Sequence, residues 1–205
     1  MTDVPSSDIA FTPRVKALQA QRGSRSAYAR MEERGGFRTA VTPELAAFLA
    51  EVDTAFLATA NAKGQPYAQH RGGPAGFIRV VDEHTLGFAD FSGNRQYVTT
   101  GNLQENERAF LFLIDYAHRR RVKLWGRARV VQDPDLVARL MPEGYEARPE
   151  QAILFTVEAW DINCPQHIPR KVDAAAAAAA LARLEAERDR LAEENAALRA
   201  RLGER

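Results

Sequence analysis

The chain has 205 residues, 45% of them hydrophobic, enough for one buried core with appended helices rather than two full domains. Lys+Arg 28 against Asp+Glu 27 leaves a formal charge of +1, which excludes the basic excess of a nucleic-acid coat protein and makes any anion binding local. No apolar run reaches the ~18 residues that span a bilayer, and the opening Met1-Thr2-Asp3-Val4-Pro5 lacks the basic-then-apolar layout of a signal peptide, so a cytoplasmic setting without a membrane is expected. The single cysteine, Cys164, excludes an intrachain disulfide and a Cys-rich metal site.

Residues 1 to 41 read as an N-terminal helical arm. From Pro13 to about Glu33, Val15, Leu18, Tyr28 and Met31 follow a helical spacing broken at Gly23, as two short helices would. Its basic residues, from Arg14 to Arg38, fit a solvated helix face lying on the domain. Thr42-Pro43-Glu44 supplies an N-cap, a proline at the first helical position and an early acid, followed by Leu45, Phe48, Leu49 and Val52 on one stripe. A helix over 43–52 is predicted.

Residues 42 to 172 form the predicted main domain, and after that first helix the period changes to two. The runs 55–60, 67–71, 77–81, 85–89, 109–115, 119–131 and 152–160 read as strands. Asn61-Ala62-Lys63-Gly64 and Asp82-Glu83-His84 are tight connections between antiparallel neighbours, and six or seven such strands tend to close into a small barrel. Helical pattern returns at 95–106 and 134–141.

Residues 173 to 205 read as a C-terminal coiled-coil helix. After Asp173 come seven alanines, Ala174 to Ala180, and then heptads with Leu184, Leu191 and Leu198 at d and Leu181, Arg188, Asn195 and Leu202 at a. Asn195 at an a position and Glu194 at g facing Arg199 at e suit a parallel two-stranded pairing. The helix is expected to reinforce a homodimer or to attach to another helical partner. Only Arg170 and Lys171 stand before the alanines, unlike the long basic region of a DNA-binding zipper.

Two polar stretches interrupt the strand pattern, Gln69-His70-Arg71-Gly72-Gly73 and Ser92-Gly93-Asn94-Arg95-Gln96. Glycines, amides and guanidinium groups in this combination present backbone and side-chain donors to an anion. A helix starting near Asn94 would add its first-turn N–H groups, as a phosphate site requires. The strand 119–131 divides by its two-residue period into a mostly apolar face and a cationic face bearing Arg119, Arg121, Lys123, Trp125, Arg127 and Arg129. Lys123 and Trp125 in mid-strand are candidates for a planar anionic ligand or a partner surface. His167, between Pro165 and Pro169, is a candidate proton donor, whereas His70, His84, His118 and His167 together offer no metal-ligand spacing.

The succession Phe56-Leu57-Ala58-Thr59-Ala60, Gly64-Gln65-Pro66-Tyr67, Gln69 to Gly73, Phe88-Ala89-Asp90, Asn94-Arg95-Gln96, Asn106 and Arg121-Val122-Lys123-Leu124-Trp125-Gly126 resembles the pyridoxamine 5'-phosphate oxidase-like FMN-binding split barrels. The resemblance runs over about residues 50 to 132 and implies a mainly β fold with flanking helices: a homodimer of six-stranded antiparallel split β-barrels with FMN in each interface groove. It also implies that Gln69 to Gly72 run along the flavin, that Asn94, Arg95 and Gln96 hold the phosphate, and that Arg121 reaches the cofactor from the partner chain, with Lys123 and Trp125 completing the groove. Related barrels accept a deazaflavin or haem instead. Gln96 stands where the oxidases have lysine, and the ending from Trp160 to Arg170 resembles an uncharacterised branch of the superfamily. The implied function is an FMN-binding oxidoreductase acting on a small redox substrate or nicotinamide donor; the alternative is a non-catalytic flavin-binding or sensor module with a coiled-coil tail.

Overall fold

The structure, a computed structural model, describes residues 4–162, 165–172 and 174–203. Asn163, Cys164 and Asp173, which the sequence places in the C-terminal segment and at the start of the tail, lie outside the described residues. Two compact units result, Met1–Asp115 with Arg120–Gln166, and Tyr116–Arg119 with His167–Arg205. No helix among the described residues is long and apolar enough to cross a membrane.

The first unit begins with a short 3-10 turn, Ser6–Ile9, and the helices α1 (Pro13–Gln21) and α2 (Arg25–Glu32), divided at Gly23 as the spacing predicts. Helix α3 (Pro43–Glu51) starts where the sequence places it, because Thr42 Oγ1 accepts the Leu45 N–H at 3.3 Å and Pro43 occupies the first turn. Its stripe of Leu45, Phe48 and Leu49 is buried.

Seven strands follow: β1 (Thr54–Ala60), β2 (Pro66–Gly72), β3 (Arg79–Asp82), β4 (Thr85–Phe91), β5 (Arg108–Asp115), β6 (Arg120–Val131) and β7 (Pro149–Ile162). They form one antiparallel sheet in the order β2-β1-β5-β6-β7-β4-β3, so the expected six-stranded barrel is corrected to a seven-stranded sheet with two free edges. All seven runs read from the sequence form strands, the shortest being the edge strand β3. Phe77 and Ile78, expected to begin it, are instead buried ahead of Arg79 and fill the core, which shortens the strand.

One face of the sheet carries Ala55, Leu57, Leu111, Leu113, Val122, Leu124, Phe155, Leu86 and Phe88, all nearly or fully buried in a single cluster that α3 covers. The sheet curls around this inner face far enough for Arg71 on β2 to pair with Asp90 on β4, five strands away in the sheet order. The barrel is thus split between these strands and bridged there by side chains. Helix α4 (Val98–Glu105) packs into the gap, with the buried Asn102 Nδ2 donating to Thr59 Oγ1 at 3.0 Å. Helix α5 (Pro134–Leu140), capped by Asp133, covers Ala89, Ala152 and Leu154 on the outer side, and β7 is therefore buried on both faces over Gln151–Phe155.

Strand β7 is bulged at Glu158, opposite Trp125 and Gly126 of β6, and it comes so near that a Cβ on Gly126 would lie 1.9 Å from the Thr156 carbonyl oxygen. The second unit contains helix α6 (Ala174–Gly203) and the turn Tyr116–Arg119, in which the Lys171 ammonium lies 4.0 Å from the centre of the Tyr116 ring.

Candidate functional site

In an antiparallel sheet, directly paired residues share a face, so the register sorts the candidate residues. Gln69 pairs with Leu57, and Arg71 with Ala55, which puts both on the inner face. His70 pairs with Phe56, Phe56 with Phe112, and Phe112 with Lys123, which puts His70 and Lys123 on the outer face. Arg121 and Trp125 share Lys123's side by the same alternation.

The inner set meets the second polar stretch. Gln69, Arg71, Asn94, Arg95 and Gln96 line one cavity at the split, together with Asp90, Thr99 and Glu150. Its volume is about 50 Å³, room for a phosphoryl-sized group but not for a ring system. Gln69 Oε1 accepts from Thr99 Oγ1 at 2.8 Å and from the Arg71 guanidinium at 3.1 Å, which leaves the Gln69 amide NH₂ as a donor. Asn94 Oδ1 accepts the Gln96 N–H at 3.3 Å, which leaves the Asn94 NH₂ likewise.

The helix does not start at Asn94. Arg95 and Tyr97 have φ of 58° and 53°, and a left-handed residue cannot belong to a right-handed helix, so α4 begins at Val98. Asn94 to Gln96 form a constrained loop ahead of the helix instead of its first turn, and the expected first-turn N–H groups are not theirs.

Charge in the cavity is balanced. Arg71 pairs with Asp90, whose other oxygen accepts from Gln151 Nε2 at 2.9 Å, and Gln151 also donates to Thr100 Oγ1 at 3.1 Å. Arg95 is 62% exposed and holds Glu150 loosely, at 3.9 Å, while Ser92 Oγ donates to the same carboxylate at 2.9 Å. A buried donor is unused as well: Arg71 Nε has no hydrogen-bond partner. Asp90, Gln151, Thr99 and Glu150 were not anticipated as site residues. The signal for Asp90 was present, since a carboxylate inside the apolar run Leu86–Phe91 needs a cation opposite it.

The outer face is aromatic. Rings follow one another from His70 through Phe56, Phe112 and Phe110 to Trp125 at centroid spacings of 5.2–6.5 Å. Trp125, expected to offer its indole to a ligand, is stacked under Phe37 of the arm at 5.1 Å and 9°, and Phe37 in turn meets Phe11. The arm is pinned there by Arg38, which bridges to Trp160, and by the Trp160 indole N–H, which donates to the Ala40 carbonyl at 2.7 Å. Lys123 lies 5.1 Å from the Trp125 ring centre and 3.5 Å from Asp161, and Arg121 carries a second buried Nε without a partner. Gly72 ends β2 beside His70. His167 is exposed, left-handed at φ 61°, and belongs to the second unit.

A family model described as pyridoxamine 5'-phosphate oxidase matches residues 41–164, more than half of the chain. The chain belongs to the pyridoxamine 5'-phosphate oxidase family. The match begins just ahead of α3 and runs through β7, so it takes in the whole barrel and leaves out the arm helices and α6. No curated protein matches the chain. Similar solved structures include HupZ of Group A Streptococcus, 18% identical over 64% of this chain and 98% of that one with a TM-score of 0.49. An FMN-binding protein of Syntrophomonas wolfei is 10% identical over 71% of this chain and 97% of that one, with a TM-score of 0.46. A Clostridium acetobutylicum protein related to general stress protein 26 of B. subtilis is 15% identical over 55% of this chain and 80% of that one, with a TM-score of 0.41.

Proposed function

We propose that the protein is an FMN-dependent oxidoreductase in which the flavin is held between two copies of the chain. The observation that carries this reading is the cavity at the split, where both polar stretches meet around a space of phosphoryl size. Its free donors are the amides of Gln69, Asn94 and Gln96, the exposed Arg95 and the orphaned Arg71 Nε, a set suited to a phosphate monoester. Arg95 can leave Glu150 at little cost, because that pair is long and mostly solvated.

The ring system needs more room than the cavity has, and Arg121, Lys123 and Trp125 lie on the opposite face of the same sheet. Within one copy these two sets cannot close on one ligand. A second copy placed with its outer face against the mouth of the cavity would bring them together, and the exposed Phe56 and His70 give that face an apolar, aromatic surface to bury. Arg121 Nε would then find an acceptor on the flavin, and Lys123 would lie near the ring with Trp125, held by Phe37, as its support.

Bound in this way, FMN would supply two-electron redox chemistry to a small-molecule substrate or a nicotinamide donor. The protein's part is to fix the phosphate, orient the ring and exclude water. Purification with excess FMN tests the reading: a yellow protein with a flavin spectrum, and oxidation of NADH or NADPH with an acceptor, are expected. A colourless protein that leaves flavin fluorescence unquenched contradicts it, and tight FMN without turnover converts the assignment to a non-catalytic flavin module.

A further inference from the structure

Helix α6 is thirty residues long and buries none of them. Leu181, Leu184, Leu191, Leu198 and Leu202 are each at least half exposed, all on the a and d stripe of one heptad register. Alanine-rich sequence explains why a helix forms here, but not why leucines recur along one side of it.

We propose that α6 pairs with α6 of a second copy of this chain as a parallel, in-register, two-stranded coiled coil. The charged and polar positions select this occupant and this direction. In the parallel pair Asn195 meets Asn195 of the second copy, where two amides exchange a hydrogen bond inside an apolar seam. Arg188, at the preceding a position, meets Arg188 of the second copy, a like-charge contact that each guanidinium relieves by turning to Glu187 at g of the other chain, and Glu194 at g faces Arg199 at e. The other g–e pairs, Ala180 with Glu185 and Glu187 with Ala192, set no like charges together.

The full antiparallel overlap fails on the same residues. It places Asn195 against Leu184 and Arg188 against Leu191, which buries polar groups without partners. It also sets Glu187 against Glu194 across the g positions. Both glutamates lie on that flank, where Arg190 reaches Glu187 at 2.7 Å and Glu194 at 3.5 Å. The pairing is independent of flavin binding and of the barrel contact proposed above.

The test uses the full-length chain with Cys164→Ser and one new cysteine, in a glutathione redox buffer at low micromolar protein. Leu198→Cys, at d, is expected to link most of the chain into disulfide dimers, whereas Ala186→Cys, at f, is not. A mixture of Leu181→Cys with a size-tagged Leu198→Cys chain is expected to give no linked heterodimer. Linkage confined to that mixture makes the pair antiparallel and overturns the proposal. Leu198→Cys linkage no greater than the f-position control also overturns it, leaving α6 for a different protein or for solvent. Repeating the Leu198→Cys arm with Phe56→Glu separates the two interfaces: loss of the barrel contact alone leaves α6 linkage in place.

Discussion

Neighbouring residues of β2 lead opposite lives. On the inner side Gln69 and Arg71 are partnered in part within the chain, by Thr99 and Asp90, keep donors to spare, and wall a cavity that one copy builds alone. On the outer side His70 joins Phe56 at an aromatic surface that is still exposed. In the proposed reading a period of two residues assigns one strand to a ligand and to a partner at once. The difference shows why the site residues read from sequence do not converge in a single copy: they lie on opposite faces of one sheet, and the proposed ligand would need the inner set of one chain and the outer set of another.

The largest expected effect falls where β6 meets the bulge of β7. Gly126→Val puts a side chain where the Thr156 carbonyl oxygen already sits, and a loss of ~3 kcal/mol or more in denaturant unfolding is expected. Unchanged stability would mean that β6 and β7 do not approach so closely at Gly126.

Next comes the inner side. Asp90→Asn leaves the Arg71 guanidinium mostly buried without its counter-charge, with an expected cost of ~2 kcal/mol. The double variant Arg71→Met/Asp90→Leu removes both charges and should recover most of that stability while abolishing FMN binding. Recovery of both would show that the pair is only structural.

The outer side should behave in the reverse manner. Phe56 is 36% exposed, so Phe56→Glu is expected to cost the folded chain ~1 kcal/mol or less, yet to part the barrels and weaken FMN binding, with sedimentation reading a monomer once Leu191→Asp and Leu198→Asp open α6 as well. The smallest effect belongs to a residue on neither side. Asp82 accepts the His84 N–H at 2.8 Å, and this bond holds its carboxyl below the usual carboxylate range. A lowered native pKa means that the contribution is present at neutral pH and disappears as pH falls through the usual range to the lowered one. Asp82→Asn should flatten that acid limb of thermal stability by no more than ~0.5 kcal/mol, without touching FMN binding.

Much of the fold is legible in local chemistry. Thr42-Pro43 marks α3, Asp133 caps α5, and the alternation along 120–131 separates Val122 and Leu124 from Lys123 and Trp125 as the structure has it. The misplaced parts depend on contacts distant in sequence. Phe77 and Ile78 read as strand residues because apolarity alone cannot distinguish a strand from a plug in the core. Asn94 read as a helix start because side-chain capping potential says nothing of the left-handed Arg95 and Tyr97 that follow. In the site, the donors were visible in the sequence, whereas Asp90 was missed because its partner Arg71 is brought to it only when the sheet curls. Phe37 over Trp125 could not be read at all, since nothing in the arm's composition says which ring it will cover.

The central claim is that one ligand needs the inner face of one copy and the outer face of another. Titrating FMN into the full-length protein and into a Phe56→Glu/Leu191→Asp/Leu198→Asp variant, which opens the α6 pairing as well as the barrel contact, with fluorescence quenching and sedimentation followed together, tests it most directly. The account predicts one FMN per chain in a dimer, and binding lost when the variant becomes monomeric. Full-affinity FMN binding by the monomeric variant would contradict it.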